Sequence, residues 1–329
     1  MSPVEPDPAA PQIPVSIVIP NYNRQDLVGE TIRSALDQGP EFEVIVVDDG
    51  SPDDSWSVIR GFGDRIRALR QENSGLGETR NVGLRMARGR FVRFLDCDDL
   101  MPPGSLRAQL AQAERLAPRH IAVGDAASID ENGHPIPPQG YGFAGHAPAG
   151  PLNRATVLRY IVNAWLPLFP AEALREVGGF ATDMNGLEDH ELAMRLLRAG
   201  YRFERVPVSV CEVREHSGYR MSRNIGAAGY RRLHLLYGRL WQGFESGWSG
   251  KLTPEERGAL GQLVWTVARD AVRFGFADEA RDLFELARRI GGSRARTGRL
   301  PARLAYRLLP PLAAERLFMA AKKLSGRGK

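Results

Sequence analysis

The chain has little cysteine: two residues in 329, Cys97 and Cys211, too few for a disulfide framework or a cysteine-built zinc cluster. Long apolar runs are missing as well. No stretch approaches the ~20 consecutive apolar residues that span a bilayer. The start of the chain lacks the basic residues and apolar core of a secretory signal. Instead Pro3, Pro6, Pro8, Pro11 and Pro14 stand among acidic and small residues, which reads as a disordered leader over 1–13. These absences point to a cytoplasmic protein. What is present is ordinary for a globular chain, with 43% hydrophobic and 25% charged residues, and that excludes disorder throughout. At roughly 150 residues per domain, about two structural units are expected.

Charge is unevenly spread. The net charge is +5, yet Arg281–Lys329 holds 13 basic and 3 acidic residues, so the rest of the chain is mildly acidic. A basic segment on an acidic body suits an anionic partner, a membrane surface or nucleic acid, or is a solvated helical face. Leu304, Leu308 and Leu309 recur near helical spacing beside Arg303 and Arg307. Leu317, Phe318, Ala321 and Leu324 do the same beside Arg316, Lys322 and Lys323. Such stripes lie in the headgroup region of an anionic bilayer, so peripheral membrane contact through the basic tail is one expectation. Packing of the same stripes onto the preceding helices is the other.

Val15–Pro20 is a continuous apolar run rich in β-branched residues and reads as a buried strand, as do Phe42–Val47 and Phe91–Leu95. Helical spacing over Asp26–Gln38, Ser55–Arg60, Glu78–Arg88 and Pro103–Leu116 alternates with them. A short strand near Ile66–Leu69 and extended Ile121–Gly124 continue the pattern. Alternation of this kind indicates βαβ units and a mostly parallel sheet with helices on both faces. Glu131–Pro151 is rich in Gly and Pro and reads as a long loop. A helix near Arg154–Val162, an extended Leu166–Phe169, a helix from Glu188 to Gly200, and extended Arg202–Val206 and Val208–Val213 follow. From about Ala227 the pattern is helical, which puts a domain boundary near Ile225.

In an open α/β sheet, ligands bind beyond the carboxyl ends of the strands. Three such ends are unusual here: Pro20-Asn21-Tyr22-Asn23, Asp48-Asp49-Gly50-Ser51 and Asp96-Cys97-Asp98-Asp99. Acidic residues gathered on one rim repel each other and need a cation or donors nearby. A D-x-D pair can bring hard oxygen ligands to a divalent ion that neutralises a pyrophosphate. Individual aspartates can equally cap the following helices. A dinucleotide fold needs its glycine fingerprint after the first strand, and Gly75-Leu76-Gly77 comes too late. Asp189 precedes Leu192, Ala193 and Leu196 by three, four and seven positions, which puts it on the inward helix face. There it serves the helix dipole or takes a proton at the floor of a cleft. His216 by itself reads as an ordinary surface histidine.

P-x-Y-N, V-D-D-G-S, F-L-D-x-D-D and G-x-x-x-x-x-x-G-L-E-D-x-E-L-x-x-R-L from Gly179 occur in that order. Together they resemble the family 2 glycosyltransferases, which are inverting and nucleotide-sugar dependent. The resemblance covers roughly Pro14–Arg223. It implies a GT-A type, Rossmann-like α/β fold over 14–225 with an all-helical extension over 226–329. It also implies a nucleotide-sugar pocket of Pro20, Tyr22, Asn23, Asp49 and Asp96, with Tyr22 stacking on the base, Asp49 accepting from it, and Asp96 facing the ribose. Asp98 would bind Mn2+ or Mg2+ on the diphosphate, with His216 as a further metal or diphosphate contact. Asp189 would be the general base and Glu188 its neighbour on the acceptor side. Cys97 stands where the family often has alanine, and would make the site sensitive to oxidants or thiol reagents.

The activity so implied moves a sugar, from a UDP-sugar in the first instance, to a glycan or lipid-linked acceptor in surface polysaccharide or glycolipid synthesis. No nucleic-acid partner is expected. A sugar-nucleotide nucleotidyltransferase would carry a glycine- and arginine-rich turn after the first strand, which P-N-Y-N does not supply. A transferase to polyprenyl phosphate would show cationic residues in place of Asp189. A non-catalytic binding scaffold would not keep Asp49, Asp96, Asp98 and Asp189 together.

Overall fold

The computed structural model describes residues 13–137, 147–159, 162–184, 186–215, 226–246, 252–297 and 300–324. The proline-rich start, part of the Gly/Pro-rich loop, and His216 lie outside them. The described chain forms two compact units. The first takes in 13–151, 162–192 and 201–215, and the second 152–159, 193–200 and the helices from 226 onward.

The first unit begins with β1 (Val15–Asn21), α1 (Val28–Leu36), β2 (Glu43–Asp48), α2 (Ser55–Arg60), β3 (Arg67–Arg70), α3 (Leu76–Met86), β4 (Phe91–Phe94) and α4 (Ser105–Ala113). It continues with β5 (His120–Ile129), β6 (Pro135–Ile136) and β7 (Gly150–Pro151). After α5 (Arg154–Arg159), which clusters with the second unit, come β8 (Pro167–Pro170), α6 (Ala171–Glu176), α7 (Glu188–Arg198) and β9 (Arg202–Arg214). The sheet order is β3-β2-β1-β4-β8-β5-β9-β7, with β6 paired to β5. Pairing is parallel through β3, β2, β1 and β4, and again between β5 and β9. β8 runs against both its neighbours, β4 and β5, so the sheet is mixed while most strands point one way.

The apolar runs explain the core. Val15, Ile17, Val18 and Ile19 of β1 and Ile45, Val46 and Val47 of β2 are wholly buried. A strand buried on both faces has no use for alternation, which is why these strands read as unbroken apolar runs. The ends of β1 and β2 are in register, Asn21 opposite Asp48, so the polar motifs that follow them emerge side by side.

Two differences from the sequence reading have physical reasons. Arg202–Val206 and Val208–Val213 are one strand, β9. Proline removes a ladder donor, but the β5–β9 register jumps from Val123↔Arg205 to Asp125↔Ser209, so Pro207 sits in a bulge instead of ending the strand. Helix α6, at six residues, is too short to display a helical period in the sequence.

The second unit holds α8 (Ala227–Glu245), α9 (Pro254–Arg273), α10 (Ala277–Gly291), α11 (Leu300–Leu308) and α12 (Pro311–Leu324). Helix α9 starts with a capping box: Thr253 Oγ accepts from the Glu256 N–H, and the Glu256 carboxylate accepts from the Thr253 N–H. Trp265 of α9 is fully buried, with the Phe284 ring centroid at 4.8 Å and that of Tyr306 at 5.1 Å.

Candidate active site

Two kinds of carboxylate stand at the carboxyl end of the sheet. Asp48, the last residue of β2, is wholly buried. Its Oδ1 accepts from Asn21 Nδ2 at 2.8 Å and Ser51 Oγ at 2.5 Å, and Arg70 Nε lies 3.3 Å from Oδ2. Ser51 Oγ in turn accepts from the Asn23 backbone N–H at 2.9 Å, holding Asn23 in the left-handed region at φ 54°. Asp49 is 3% exposed. Its Oδ1 accepts from Gln71 Nε2 and the Ser74 N–H, both at 2.8 Å, and Oδ2 from the Gly75 N–H at 2.9 Å. Gly75 has φ 86°, a backbone that disfavours other residues, and it opens α3. Asp49 therefore ties the β3–α3 turn to the end of β2.

Beyond β4 the pattern changes. Asp96 and Asp98 keep 31% and 21% of their side chains exposed and each meets a guanidinium. Arg24 Nε lies 3.2 Å from Asp98 Oδ2, and Arg80 Nη2 lies 2.9 Å from Asp96 Oδ1. Asp99 is buried again; its Oδ1 accepts from the Arg214 N–H at 2.9 Å.

Arg80, on the buried face of α3, joins this end to the start of α7. Its Nη1 donates to Asp189 Oδ1 at 2.6 Å and Glu188 Oε1 at 3.2 Å. The guanidinium lies over the Phe180 ring, 5.3 Å from its centroid. Asn81, the next residue, clamps the Phe180 backbone by donating to its carbonyl at 2.9 Å and accepting from its N–H at 2.7 Å. Glu188 is turned inward, where Oε2 accepts from the N–H groups of Gly186 at 2.6 Å and Leu187 at 3.0 Å. Asp189 is more accessible, with 15% of its side chain exposed, and Oδ2 accepts from the Ala164 N–H at 2.9 Å.

The electrostatics follow from this cluster. Burial pushes the Asp189 carboxyl up to about 7; Arg80 opposes the shift and Glu188 adds to it. Burial also raises Asp96, against the pull of Arg80 and with the push of Asp98. Burial disfavours the Arg80 cation, but Asp189, Asp96 and Glu188 together outweigh it and raise its pKa. Cys97 is pushed well above the ordinary thiol value by burial and by the negative charge of Asp98 and Asp96, so thiolate reactivity is suppressed there.

The site residues named from sequence thus fall into connected groups. Asp96, Glu188 and Asp189 meet on Arg80, and Asp98 meets Arg24, whose Nη1 also donates to the Asn23 carbonyl at 3.1 Å. Pro20 is buried within β1, while Tyr22 is 49% exposed two residues on. Asp49 faces the β3–α3 turn. His216 lies outside the described residues. Arg80 and Arg24 were missed. A lone arginine in a helix reads as surface charge, and the only sequence signal was the need of an acidic rim for a cation. Among the described residues, no group of three or more His, Cys, Asp and Glu could by itself hold a metal ion.

Residues 16–161 match the family described as "Glycosyl transferase family 2". An "Uncharacterized glycosyltransferase" of Rickettsia felis is 32% identical over 193 residues, which cover 56% of this chain and 31% of that protein. The chondroitin synthase of Escherichia coli is 26% identical over 190 residues, covering 56% of this chain and 27% of that protein. The chain therefore spans about a third of the length of the Rickettsia felis relative. In structure, it resembles S. aureus TarS 1-349, solved in complex with UDP-GlcNAc, with a TM-score of 0.59 at 19% identity over 90% of this chain and 92% of that one. That likeness shows the fold, a GT-A fold. Residues 16–161, a little under half of the chain, are thus similar to the glycosyltransferases of family 2.

Proposed function

We propose that this domain is an inverting transferase that moves a sugar from a nucleotide-sugar, a UDP-sugar in the first instance, to a hydroxyl of a glycan or lipid-linked acceptor. Surface polysaccharide or glycolipid synthesis at the cytoplasmic side of a membrane belongs to the same proposal. The observation that carries it is the Asp189 carboxylate, partly accessible, raised toward neutrality and tied through Arg80 to Asp96.

An acceptor hydroxyl loses its proton as it attacks, and a carboxylate with a pKa near the working pH combines availability with driving force. Asp189 takes that proton. The Ala164 N–H and Arg80 fix the carboxylate plane, and each oxygen keeps a lone pair for the incoming hydroxyl. Direct displacement inverts the anomeric carbon and needs no covalent enzyme nucleophile. On the donor side, Tyr22 offers an exposed ring for stacking on the base, and Asp96 offers an oxygen for the ribose. Asp49, with three protein donors, holds the wall of this pocket and retains acceptor capacity toward the base.

The donor set suits a hard divalent ion. Mg2+ is commonly held by one or two carboxylates together with substrate phosphates, and Asp98 supplies such a carboxylate on an accessible rim. Asp98 would hold Mn2+ or Mg2+ there, and the ion would supply positive charge to the departing diphosphate. Arg24 Nε donates to the same carboxylate.

Thermal shift with UDP-, GDP- and dTDP-sugars, with and without Mn2+ or Mg2+, tests the donor. A ligand that binds only the folded state stabilises it by mass action. A UDP-sugar should raise the melting temperature most, and only with the metal. Stabilisation by none of them, or equal stabilisation in chelator, overturns the reading.

A further inference from the structure

Eight large hydrophobic side chains are exposed among the described residues, and four of them, Leu304, Leu308, Leu309 and Leu317, fall within one short stretch of α11, α12 and the turn between them. The same stretch lies in the part of the chain where 13 basic residues face only 3 acidic ones, from Arg281 to Lys329. Apolar side chains left in water are unremarkable singly, but a concentration of them marks a surface that meets something.

The packing of α11 says which way these side chains turn. Tyr306 is 1% exposed, set against Trp265 and the ring of Phe318, and its hydroxyl donates to the buried Glu315 carboxylate. Residues two before and two after it in a helix lie about 160° away around the axis. Leu304 and Leu308 therefore occupy the face opposite the packed one, and Leu308 is 85% exposed. Arg307 flanks them, and Arg316 precedes the exposed Leu317; both arginines are exposed. The inner face is already satisfied, because Glu315 also accepts from Arg269 Nε at 2.7 Å. Packing onto preceding helices thus accounts for Tyr306 and Glu315 and leaves the four leucines outside.

We propose that the outer face of α11 and α12 up to Leu317 is a docking surface for an anionic lipid bilayer, with the leucines entering the acyl boundary and Arg307 and Arg316 meeting lipid phosphates. No helix among the described residues is long and apolar enough to cross a membrane, so this contact is peripheral. Charge complementarity selects the occupant. A second copy would bring two strongly basic segments face to face. A nucleic acid would use the cations but leave four leucines in water. A bilayer with anionic headgroups uses both, since adjacent cations are attracted to its surface potential while apolar side chains bury below it. The inference concerns the second unit and does not depend on the donor, the metal or the base.

Co-sedimentation of the full chain with vesicles tests it, using phosphatidylcholine mixed with phosphatidylglycerol against phosphatidylcholine alone. Binding is expected to the mixed vesicles, falling as salt is raised. A variant carrying L304S, L308S, L309S and L317S should bind at least about tenfold more weakly, since each removes apolar burial. Its melting temperature should hold, because all four side chains are exposed. R307Q with R316Q should weaken binding to the mixed vesicles and flatten its salt dependence. Absence of vesicle binding by the wild type, or equal binding by the leucine variant, overturns the proposal. So does a wild-type dimer in light scattering that the leucine variant abolishes without any vesicle binding, which would make the occupant a second copy.

Discussion

At the end of β2, Asp48 and Asp49 accept from backbone N–H groups, amides and a hydroxyl, and are 0% and 3% exposed. Past β4 and at the start of α7, Asp96, Asp98 and Asp189 meet guanidinium groups and keep 31%, 21% and 15% of their side chains exposed. All but Asp189 stand on the same rim, and all are the same residue type. Exposure divides them more cleanly than partners do, since Arg70 also reaches Asp48 and the Ala164 N–H also reaches Asp189. Backbone N–H groups are fixed donors that turn a carboxylate into a brace for a turn. An arginine side chain can release or share its carboxylate, and solvent access lets a substrate reach it. Asp99 shows the rule within one motif: one residue from Asp98, it is 4% exposed and accepts from the Arg214 backbone.

The largest expected effect is on the accessible set. Asp189→Asn should lower kcat by about 10²–10⁴-fold, the usual contribution of a general base, while donor binding persists. Single-turnover release of nucleoside diphosphate, beside donor titration by calorimetry, checks both halves. Next comes Arg80→Met, which leaves Asp96, Glu188 and Asp189 without their shared cation. Breaking one side of a buried ion pair costs about 3–5 kcal/mol, readable by urea denaturation. Arg80→Lys should restore part of that stability but not the fork that spans Asp96 and Asp189.

On the bracing set the sign reverses. Asp99→Asn should cost about 1–3 kcal/mol of stability, because the buried Arg214 N–H loses a charged acceptor. Turnover per folded molecule should stay near wild type. A smaller effect is expected for Asp98→Asn on donor affinity with Mn2+, about tenfold or ~1.4 kcal/mol, measured by calorimetry with and without chelator. Should Asp99→Asn lose turnover while Asp189→Asn loses only stability, the division between the two sets fails.

The fold was largely legible because its strands are buried on both faces. Ile17–Ile19 and Ile45–Val47 carry apolar runs that no surface helix tolerates, and α2 begins and ends at the residues its spacing indicates. The acidic rim was legible too, since Asp48, Asp49, Asp96, Asp98 and Asp99 all follow expected strands. Which of them are braces was not, because the donors come from distant segments: Gly75 for Asp49 and Arg214 for Asp99. Arg80 escaped for the same reason. Its neighbours along α3 gave no sign that Asp96 and α7 would close over it. The stripe of leucines near the C-terminal end was visible in the sequence, but only the burial of Tyr306 between them shows which face is left outside.

Asp189 also bears on stability. Its folded pKa lies above the unfolded value, so the folded state binds more protons in the window between about 4 and about 7. The stability that the protonated carboxyl gives is fully present below that window and is lost as pH rises through about 7. Asp189→Asn should therefore melt no lower than wild type above pH 7, with the difference shrinking toward pH 4.

The most direct test is the pH dependence of kcat for sugar transfer, followed as nucleoside diphosphate release with saturating donor and acceptor. With Asp189 as the base, kcat should fall below about pH 7 with the slope of a single proton, and the residual rate of Asp189→Asn should lack that limb. A wild-type rate that stays level down to pH 5, or a limb that survives in Asp189→Asn, would contradict the assignment.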